Sequence, residues 1–509
     1  MAVTDTIRLG KVNHAFIRLE CPDSVAYELY EYFAFEVPSA KFSPQFKNRM
    51  WDGRIRLFSL ATRQMYAGLF YRLQQFCEDR NYGIETVDIG FGLPDEKNPV
   101  THEVLNNFLE TIKPCDEHGQ RIELEDYQLD AIFSSIANKG RILISPTASG
   151  KSLVIYCILR YLKAWNTHRG LDKSQLVIVP TTSLVEQMYS NFEDYSKVNG
   201  WDVAKNCAKI YSGFPKNPET PIVITTWQSI FKLPKPYFDK YSTIIGDEVH
   251  LFKAKSLISI MVKSSEAEYR IGTTGTLDGS ETNQITLEGL FGLPQQVATT
   301  KELMERGRLA KLFIKCVVLK YSDEERKAVA KLKEYHEELA FLIAHQKRNK
   351  FIRNLAVTQE RNTMVLFARV ETHGKVLYDM IREKAPNRKV FFVHGGVDAE
   401  DRETIRKLTE KESNAIIVAS YGVFSTGVNI KNLHSVIFAS PMKSKIRNLQ
   451  SIGRGLRVTD GKESCILYDI GDDLQWKSRS NYSAKHLVER ISIYSAEEFE
   501  FSISDISLA

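Results

Sequence analysis

The segment Ser145-Pro146-Thr147-Ala148-Ser149-Gly150-Lys151-Ser152 is a loop of small residues that ends on a lysine and a hydroxyl. Between a strand and a helix, such a loop curls its backbone N–H groups around phosphate oxygens, and the helix N-terminus adds a favourable dipole. Lys151 is then placed to set its ammonium between β- and γ-phosphates, and Ser152 to offer its hydroxyl to Mg²⁺. Thr147, Ser149 and Gly150 line the cradle. Ser145 stands where the common pattern has its first glycine, and a small residue still permits the turn.

Asp247 and Glu248 follow an apolar run at 242–246. Two carboxylates at the mouth of a parallel strand lie where open α/β sheets bind ligands. Phosphoryl transfer needs one carboxylate to hold Mg²⁺ and a second to orient the attacking water. Asp247 fits the first role and Glu248 the second. Far downstream, Arg454 and Arg457 lie one helical turn apart after Gln450 and Gly453. An arginine reaching a γ-phosphate stabilises transition-state charge, typically by about 10³–10⁵ in rate. With Lys443, Lys445 and Arg447 beside them, the same arginines also suit a phosphate backbone.

The elements that must position these groups alternate regularly. Residues 141–144, 175–179, 222–225, 243–246 and 269–272 are short β-rich runs separated by helical spacing. A second series begins near Phe313 and includes 364–368, 390–393, 415–419, 435–439 and 466–470. Such alternation implies parallel sheets with helices on both faces, hence two α/β domains in tandem. Before them, residues 11–90 read as β–α–β–β–α, with helices over 24–35 and 67–81 and strands over 14–19 and 54–60. Turn-rich stretches at 90–98 and 114–119 read as a linker. The expected organisation is a small α+β domain with linker over 1–115, α/β domains over 116–308 and 309–475, and a helical tail over 476–509.

At 509 residues the chain is too long for one core. A hydrophobic share of 43% and a charged share of 26% are those of a globular protein, and the net charge of +5 permits nucleic-acid binding without requiring it. The seven cysteines are dispersed without a C-x-x-C pair, which argues against a zinc site or disulfide framework and suits a reducing compartment. The N-terminal ten residues lack an apolar core and no run is long enough to span a bilayer, so a cytoplasmic location without membrane contact is expected.

Taken together and in this order, the loop, the acid pair and the arginines resemble the elements of superfamily 2 helicases over residues 120–475. The resemblance implies two RecA-like domains that bind ATP and Mg²⁺ between them. It implies that Tyr127 and Gln128 read adenine, and that Gly427, Asn429 and Gln450 also contact the nucleotide. Val179-Pro180-Thr181, Thr225-Thr226-Trp227-Gln228, Arg369 and Ser425-Thr426 resemble elements that touch the nucleic-acid backbone, which makes Thr181, Thr226, Gln228, Arg369 and Thr426 DNA-binding candidates. Gly272-Thr273-Thr274-Gly275-Thr276 resembles the element coupling hydrolysis to movement. The Asp-Glu-Val-His box and the segment 302–310 are similar to the DNA-repair and restriction-translocase branch. Residues 42–46, 51–56 and 418–427 resemble phage recombination helicases of the UvsW type over nearly the whole chain. That implies a phage protein in the host cytoplasm, acting in recombination, replication and repair. Its expected partners are branched or duplex DNA with a single-stranded tracking strand, and RNA–DNA hybrids, with a monomer as the favoured state.

In the N-terminal block, Lys41, Lys47, Arg49, Arg54, Arg56, Arg63 and Arg72 are interleaved with Phe42, Phe46, Trp51 and Phe58. The cations can neutralise phosphates and the rings can stack on bases. Arg49, Arg54 and Arg56 are the DNA-binding candidates here, whereas Trp51 and Phe58 also suit a core. An RNA helicase and a non-hydrolysing, ATP-regulated clamp are the alternative functions.

Overall fold

The computed structural model describes residues 6–38, 40–86, 100–146, 148–252, 255–277, 280–397, 399–426, 430, 432–441 and 462–508. They form two compact units, one of residues 1–145 and 150–298, the other of residues 146–149 and 299–509.

The first unit opens with a small α+β domain. Its strands are β1 (Thr6–Lys11), β2 (Phe16–Glu20), β3 (Ala34–Glu36), β4 (Arg54–Arg56), β5 (Phe58–Ser59), β6 (Gln64–Tyr66) and β7 (Gly83–Thr86). Five of them form a mixed sheet in the order β5-β6-β2-β1-β7, and β3 and β4 make a separate antiparallel pair. Alternation along β1 and β2 sends Ile7, Leu9, Ile17 and Leu19 inward, against Val25 and Leu29 of the helix Asp23–Tyr32 and Leu73 and Phe76 of the helix Phe70–Arg80. Phe58 is core, whereas Trp51 is half-buried and donates from Nε1 to the Arg54 carbonyl at 2.7 Å.

The rest of that unit is a seven-stranded sheet of β8 (Gly140–Ile144), β9 (Ser174–Val179), β10 (Cys207–Ile210), β11 (Ile222–Thr226), β12 (Tyr241–Asp247), β13 (Tyr269–Thr274) and β14 (Pro294–Gln296), in the order β10-β11-β9-β12-β13-β8-β14. Every pairing is parallel. Because helices cover both faces, β12 is buried along its whole length. Between the two stretches read as linker lies a helix not expected from the sequence. The 90–98 stretch lies outside the described residues, while His102–Ile112 is a helix capped by Thr101, with Phe108 packed edge-on to Tyr161.

The small domain is docked on the helix Glu281–Phe291. Arg72 grips the buried Glu288 through two hydrogen bonds, at 2.5 and 3.0 Å. Thr282 Oγ1 donates to the Glu36 carbonyl at 2.6 Å, and the His14 amide donates to the Ser265 carbonyl at 3.0 Å.

The second unit carries β15 (Lys311–Lys320), β16 (Thr363–Phe367), β17 (Val390–Val393), β18 (Ile416–Ser420), β19 (Ser435–Phe438), β20 (Ser464–Asp473) and β21 (Glu500–Ser507), in the order β17-β18-β16-β19-β20-β15-β21 and again all parallel. The two parallel sheets are the tandem RecA-like domains expected from the sequence. The helical tail expected over 476–509 is corrected: the helix Tyr482–Ala496 returns to β21, the edge strand of this sheet. Buried ion pairs fasten β20 to the return and to the helix Gln346–Thr358. Arg490 binds Asp469 at 2.8 Å, and Arg348 binds Asp472 at 2.7 Å. Arg479, read from sequence as part of a mildly basic tail, donates to the carbonyls of Ala330 and Leu332.

Candidate active site and nucleic-acid interface

Strand order β12-β13-β8 places three loops on one edge of the first RecA-like sheet. Asp247 of β12 is in register with Thr273 of β13, and Thr274 with Ile144 of β8. The acid pair, the 273–276 segment and the phosphate loop therefore meet at the C-terminal ends of adjacent parallel strands, where such sheets bind ligands. The loop base is tied to this neighbour, since the Ser145 amide donates to the Thr274 carbonyl at 2.8 Å.

Gly150 caps the helix Lys151–His168 with φ +83°. Only glycine adopts that conformation without strain, and a Cβ there would also lie 2.3 Å from Gln128 Nε2. Lys151 Nζ stands 3.5 Å from Glu248 Oε1. Glu248 itself is left-handed at φ 54°, an unfavourable conformation for a residue with a side chain. Asp247 Oδ1 accepts from Thr273 Oγ1 at 2.6 Å and from the Glu248 amide at 3.0 Å. His250 Nδ1 is 3.0 Å from Thr274 Oγ1 and 3.3 Å from Glu248 Oε2. The 273–276 segment thus touches the acid box through two side-chain contacts, Thr273–Asp247 and Thr274–His250.

The two carboxyls are driven apart electrostatically. Burial, then the neighbouring Glu248 charge, raises Asp247 above the ordinary aspartate range. Burial opposes ionisation of Glu248 too, but Lys151 and His250 more than offset it and hold that carboxyl at about 2. Buried Asp247 and half-buried Glu248 face one lysine, and Glu248 Oε2 is near the His250 ring at 3.3 Å. Hard oxygen donors with an excess of negative charge suit a divalent cation of the Mg²⁺ type.

Other expected contacts fall differently. Gln128 is buried and its Oε1 accepts from the Glu125 amide at 3.0 Å, so the side chain also serves as a helix capping box, with its amide nitrogen against Gly150. Tyr127 is buried beside it in the same helix. The Ser152 hydroxyl is bonded to Tyr195 Oη at 2.9 Å, and if it donates that bond its lone pairs stay open to a cation. Nothing in the sequence pointed to Tyr195, which comes from the helix Thr182–Ser196. His250 and Thr273 were inside quoted motifs, yet without assigned roles. Ser149 is buried, its Oγ donating to the Pro146 carbonyl at 2.7 Å. Thr147, Gly427, Asn429, Gln450, Arg454 and Arg457 lie outside the described residues, as do Lys443, Lys445 and Arg447.

A second depression of about 750 Å³ gathers Thr181, Thr226 and Gln228, together with Tyr211, Phe214 and Lys216. Thr181 caps a helix through the Leu184 amide, and Thr226 bonds to Ser229 at 3.0 Å, whereas Gln228 is exposed. Helix N-termini and a lysine beside two rings suit a phosphate backbone with accessible bases. In the second unit Arg369 is exposed just after β16, and Thr426 ends the helix Tyr421–Thr426, its side chain outside the described residues. In the small domain Arg49 is exposed, while Arg54 and Arg56 are ion-paired within the domain. Arg54 pairs with Glu31 at 3.1 Å, and Arg56 pairs with Asp52 at 2.6 Å while its guanidinium lies 4.5 Å from the Tyr30 ring centre. These ion pairs brace the β3–β4 pair.

A phosphate loop and acid pair on one edge of a RecA-like sheet, followed by a second such sheet, define a nucleotide-driven motor of helicase superfamily 2. Family comparisons agree along the chain. Residues 6–88 match "DNA helicase UvsW, N-terminal", residues 98–279 the "Type III restriction enzyme, res subunit" and residues 346–459 the "Helicase conserved C-terminal domain". The chain is 34% identical to the ATP-dependent DNA helicase uvsW of Enterobacteria phage T4, over 97% of this chain and 98% of that relative. The crystal structure of T4 UvsW aligns with a TM-score of 0.52 and 32% identity, covering 99% of this chain and 100% of that one. A fragment of a putative HsdR subunit from a Vibrio vulnificus type I restriction enzyme shares the fold, with a TM-score of 0.57 at 19% identity over 86% of this chain and 74% of that one. The chain belongs to the UvsW family of DNA helicases. Among its described residues no helix is long and apolar enough to cross a membrane.

Proposed function

We propose that this chain is an ATP-dependent DNA helicase that remodels branched DNA, driving branch migration, fork regression and the removal of RNA–DNA hybrids in phage recombination, replication and repair, in the host cytoplasm. The observation that carries the reading is the convergence of Lys151, Asp247 and Glu248 on one sheet edge, in a chain that matches a phage DNA helicase from end to end. DNA is favoured over RNA as the track because that full-length relative is a DNA helicase.

In this mechanism the loop amides and Lys151 bind the ATP phosphates, while Ser152 and Asp247 hold Mg²⁺. The metal supplies charge neutralisation on the β- and γ-phosphates. Glu248, released from Lys151, orients the attacking water. Thr273 and His250 pass the state of the acid box to the 273–276 segment. Thr181, Thr226, Gln228, Arg369 and Thr426 hold the tracking strand, Arg49 contacts DNA from the small domain, and Arg454 and Arg457 face the γ-phosphate. Backbone contacts of this kind make binding largely independent of sequence. The expected working form is a monomer.

The test is a panel of ATPase and unwinding assays on forks, Holliday junctions, R-loops, plain duplex and structured RNA. Branched DNA should stimulate turnover most. Stimulation by RNA alone, with branched DNA inert, would sink the proposal.

A further inference from the structure

The β3–β4 pair carries at its end the segment 37–53, which folds on itself. The Val37 amide donates to the Gly53 carbonyl at 2.9 Å, the Ser43 amide to the Ala40 carbonyl at 2.8 Å and the Met50 amide to the Gln45 carbonyl at 2.9 Å. Gly53, at φ +82°, lets Phe46 pack over the backbone, and a Cβ there would stand 3.0 Å from that ring. The Trp51, Arg54 and Arg56 contacts described above brace the base. Backbone hydrogen bonds and ring packing therefore hold this tip in one shape.

What the tip displays is unusual for a solvent-facing surface. Phe42 is 71% exposed and Met50 79% exposed, and neither belongs to the domain core. Lys41, whose Nζ lies 5.5 Å from the Phe42 ring centre, Lys47 and Arg49 share this segment, exposed and without a carboxylate partner among the described residues, since the nearby Asp52 is taken by Arg56. Scattered surface apolar residues are ordinary, but two on a braced segment that also carries three exposed cations are a specific pairing of chemistries. A protein partner of standard size needs a far larger apolar area than two side chains provide. DNA offers phosphates to the cations and, where a duplex ends at a branch, an uncovered base face to the apolar point.

We propose that Phe42 and Met50 form a wedge that stacks on the terminal base pair at a DNA branch point, with Lys41, Lys47 and Arg49 anchoring the flanking phosphates. The wedge rests on the DNA-helicase reading above and adds to it the place where strands part. ATP hydrolysis moves the DNA, and the tip blocks re-pairing behind the advancing branch. This also gives the small domain a task that plain duplex does not engage.

The experiment uses the full chain with the double substitution Phe42→Ala/Met50→Ala, and separately Lys41→Gln/Lys47→Gln/Arg49→Gln. Forks carry 2-aminopurine at the first branch pair, whose fluorescence rises when the base is unstacked. The wild-type chain should raise that signal, and the double variant should not. The double variant should also unwind forks about tenfold more slowly, the loss of one stacked base, with single-stranded-DNA-stimulated ATPase and thermal midpoint unchanged. Phe42→Trp should restore both the signal and the rate. The triple variant should bind forks more weakly and with a salt slope reduced by about 0.9 per lost phosphate contact. Wild-type unwinding and an intact 2-aminopurine signal in the double variant would overturn the wedge while leaving the motor reading standing. Undiminished fork affinity in the triple variant would instead refute DNA contact by this tip, and the wedge with it. A double variant that changes only the oligomeric state would assign the tip to protein contact and equally overturn the proposal.

Discussion

Lys151 Nζ lies 3.5 Å from Glu248 Oε1, so the residue expected to bind phosphate is paired with the residue expected to orient water. The two roles are incompatible with this pairing: phosphate must take the lysine before the carboxylate is free to act. Nucleotide binding is thereby linked to activation of the base. Glu248→Gln should lower steady-state ATPase by about 10²–10⁴, the usual contribution of a positioned base. Affinity for ATP should persist, because the amide no longer competes for Lys151 as a charge. Nucleotide titration together with turnover checks both halves. Substantial residual hydrolysis would remove Glu248 from its role.

Asp247 leads to a pH prediction for metal use. Burial and the Glu248 charge raise its pKa, so the proton is held to a higher pH than on an exposed aspartate. A metal ligand must be ionised, and Mg²⁺ therefore competes with that proton. The Mg²⁺ concentration for half-maximal ATPase should rise as pH falls, beginning above the ordinary aspartate value of about 3.9. Asp247→Asn should abolish this dependence along with most activity. A Mg²⁺ requirement constant from neutral pH to the acid limit of folding would contradict the assignment.

Arg490 and Asp469 form an ion pair whose two side chains are almost completely excluded from solvent. Removing one partner leaves a buried charge, typically a loss of about 3–5 kcal/mol. Arg490→Ala should destabilise the second unit by about that amount in chemical denaturation. Deletion of 476–509 should be worse, since it also strips β21 from the sheet edge. A truncated chain of normal stability would return this segment to the status of a tail.

His373 should make the second unit sensitive to mild acid. Burial, then the Arg348 charge, lowers its pKa from 6.5 to about 3. The unfolded chain takes up this proton below about pH 6.5, while the folded chain refuses it until about 3. Stability from this group is thus complete above pH 6.5 and is lost progressively as pH falls toward 3, at about 1.4 kcal/mol per pH unit. Denaturation midpoints measured at neutral pH and one to two units lower should show the decline. His373→Asn should flatten it.

Much of this fold was legible because parallel strands covered on both faces become continuous apolar runs. The strand read at 390–393 has those bounds in the structure, and those at 222–225 and 269–272 extend by only one or two residues. In the two parallel sheets the strands missed are edges: Cys207–Ile210, Pro294–Gln296 and Glu500–Ser507 each have a neighbour on one side only, and carry polar residues that mask the pattern. At the site, Lys151, Asp247 and Glu248 were legible because phosphate chemistry restricts residue type and spacing together. Tyr195 was not, since its contact with Ser152 crosses 43 residues and depends on how two helices pack. The partners of Arg54 and Arg56 were hidden for a related reason. A cation in sequence shows charge, whereas Glu31 and Asp52 decide whether that charge is free, and only folding brings Glu31 to them.

The central claim is that ATP turnover at the Lys151 loop drives the remodelling of branched DNA. The most direct measurement compares wild-type chain and Lys151→Ala on one labelled fork, following ATP hydrolysis, strand displacement and fork affinity together. The account predicts that the variant binds the fork nearly as tightly as wild type while hydrolysis and displacement both fall to background. Fork displacement that continues in Lys151→Ala, or turnover that persists in it, would contradict the account.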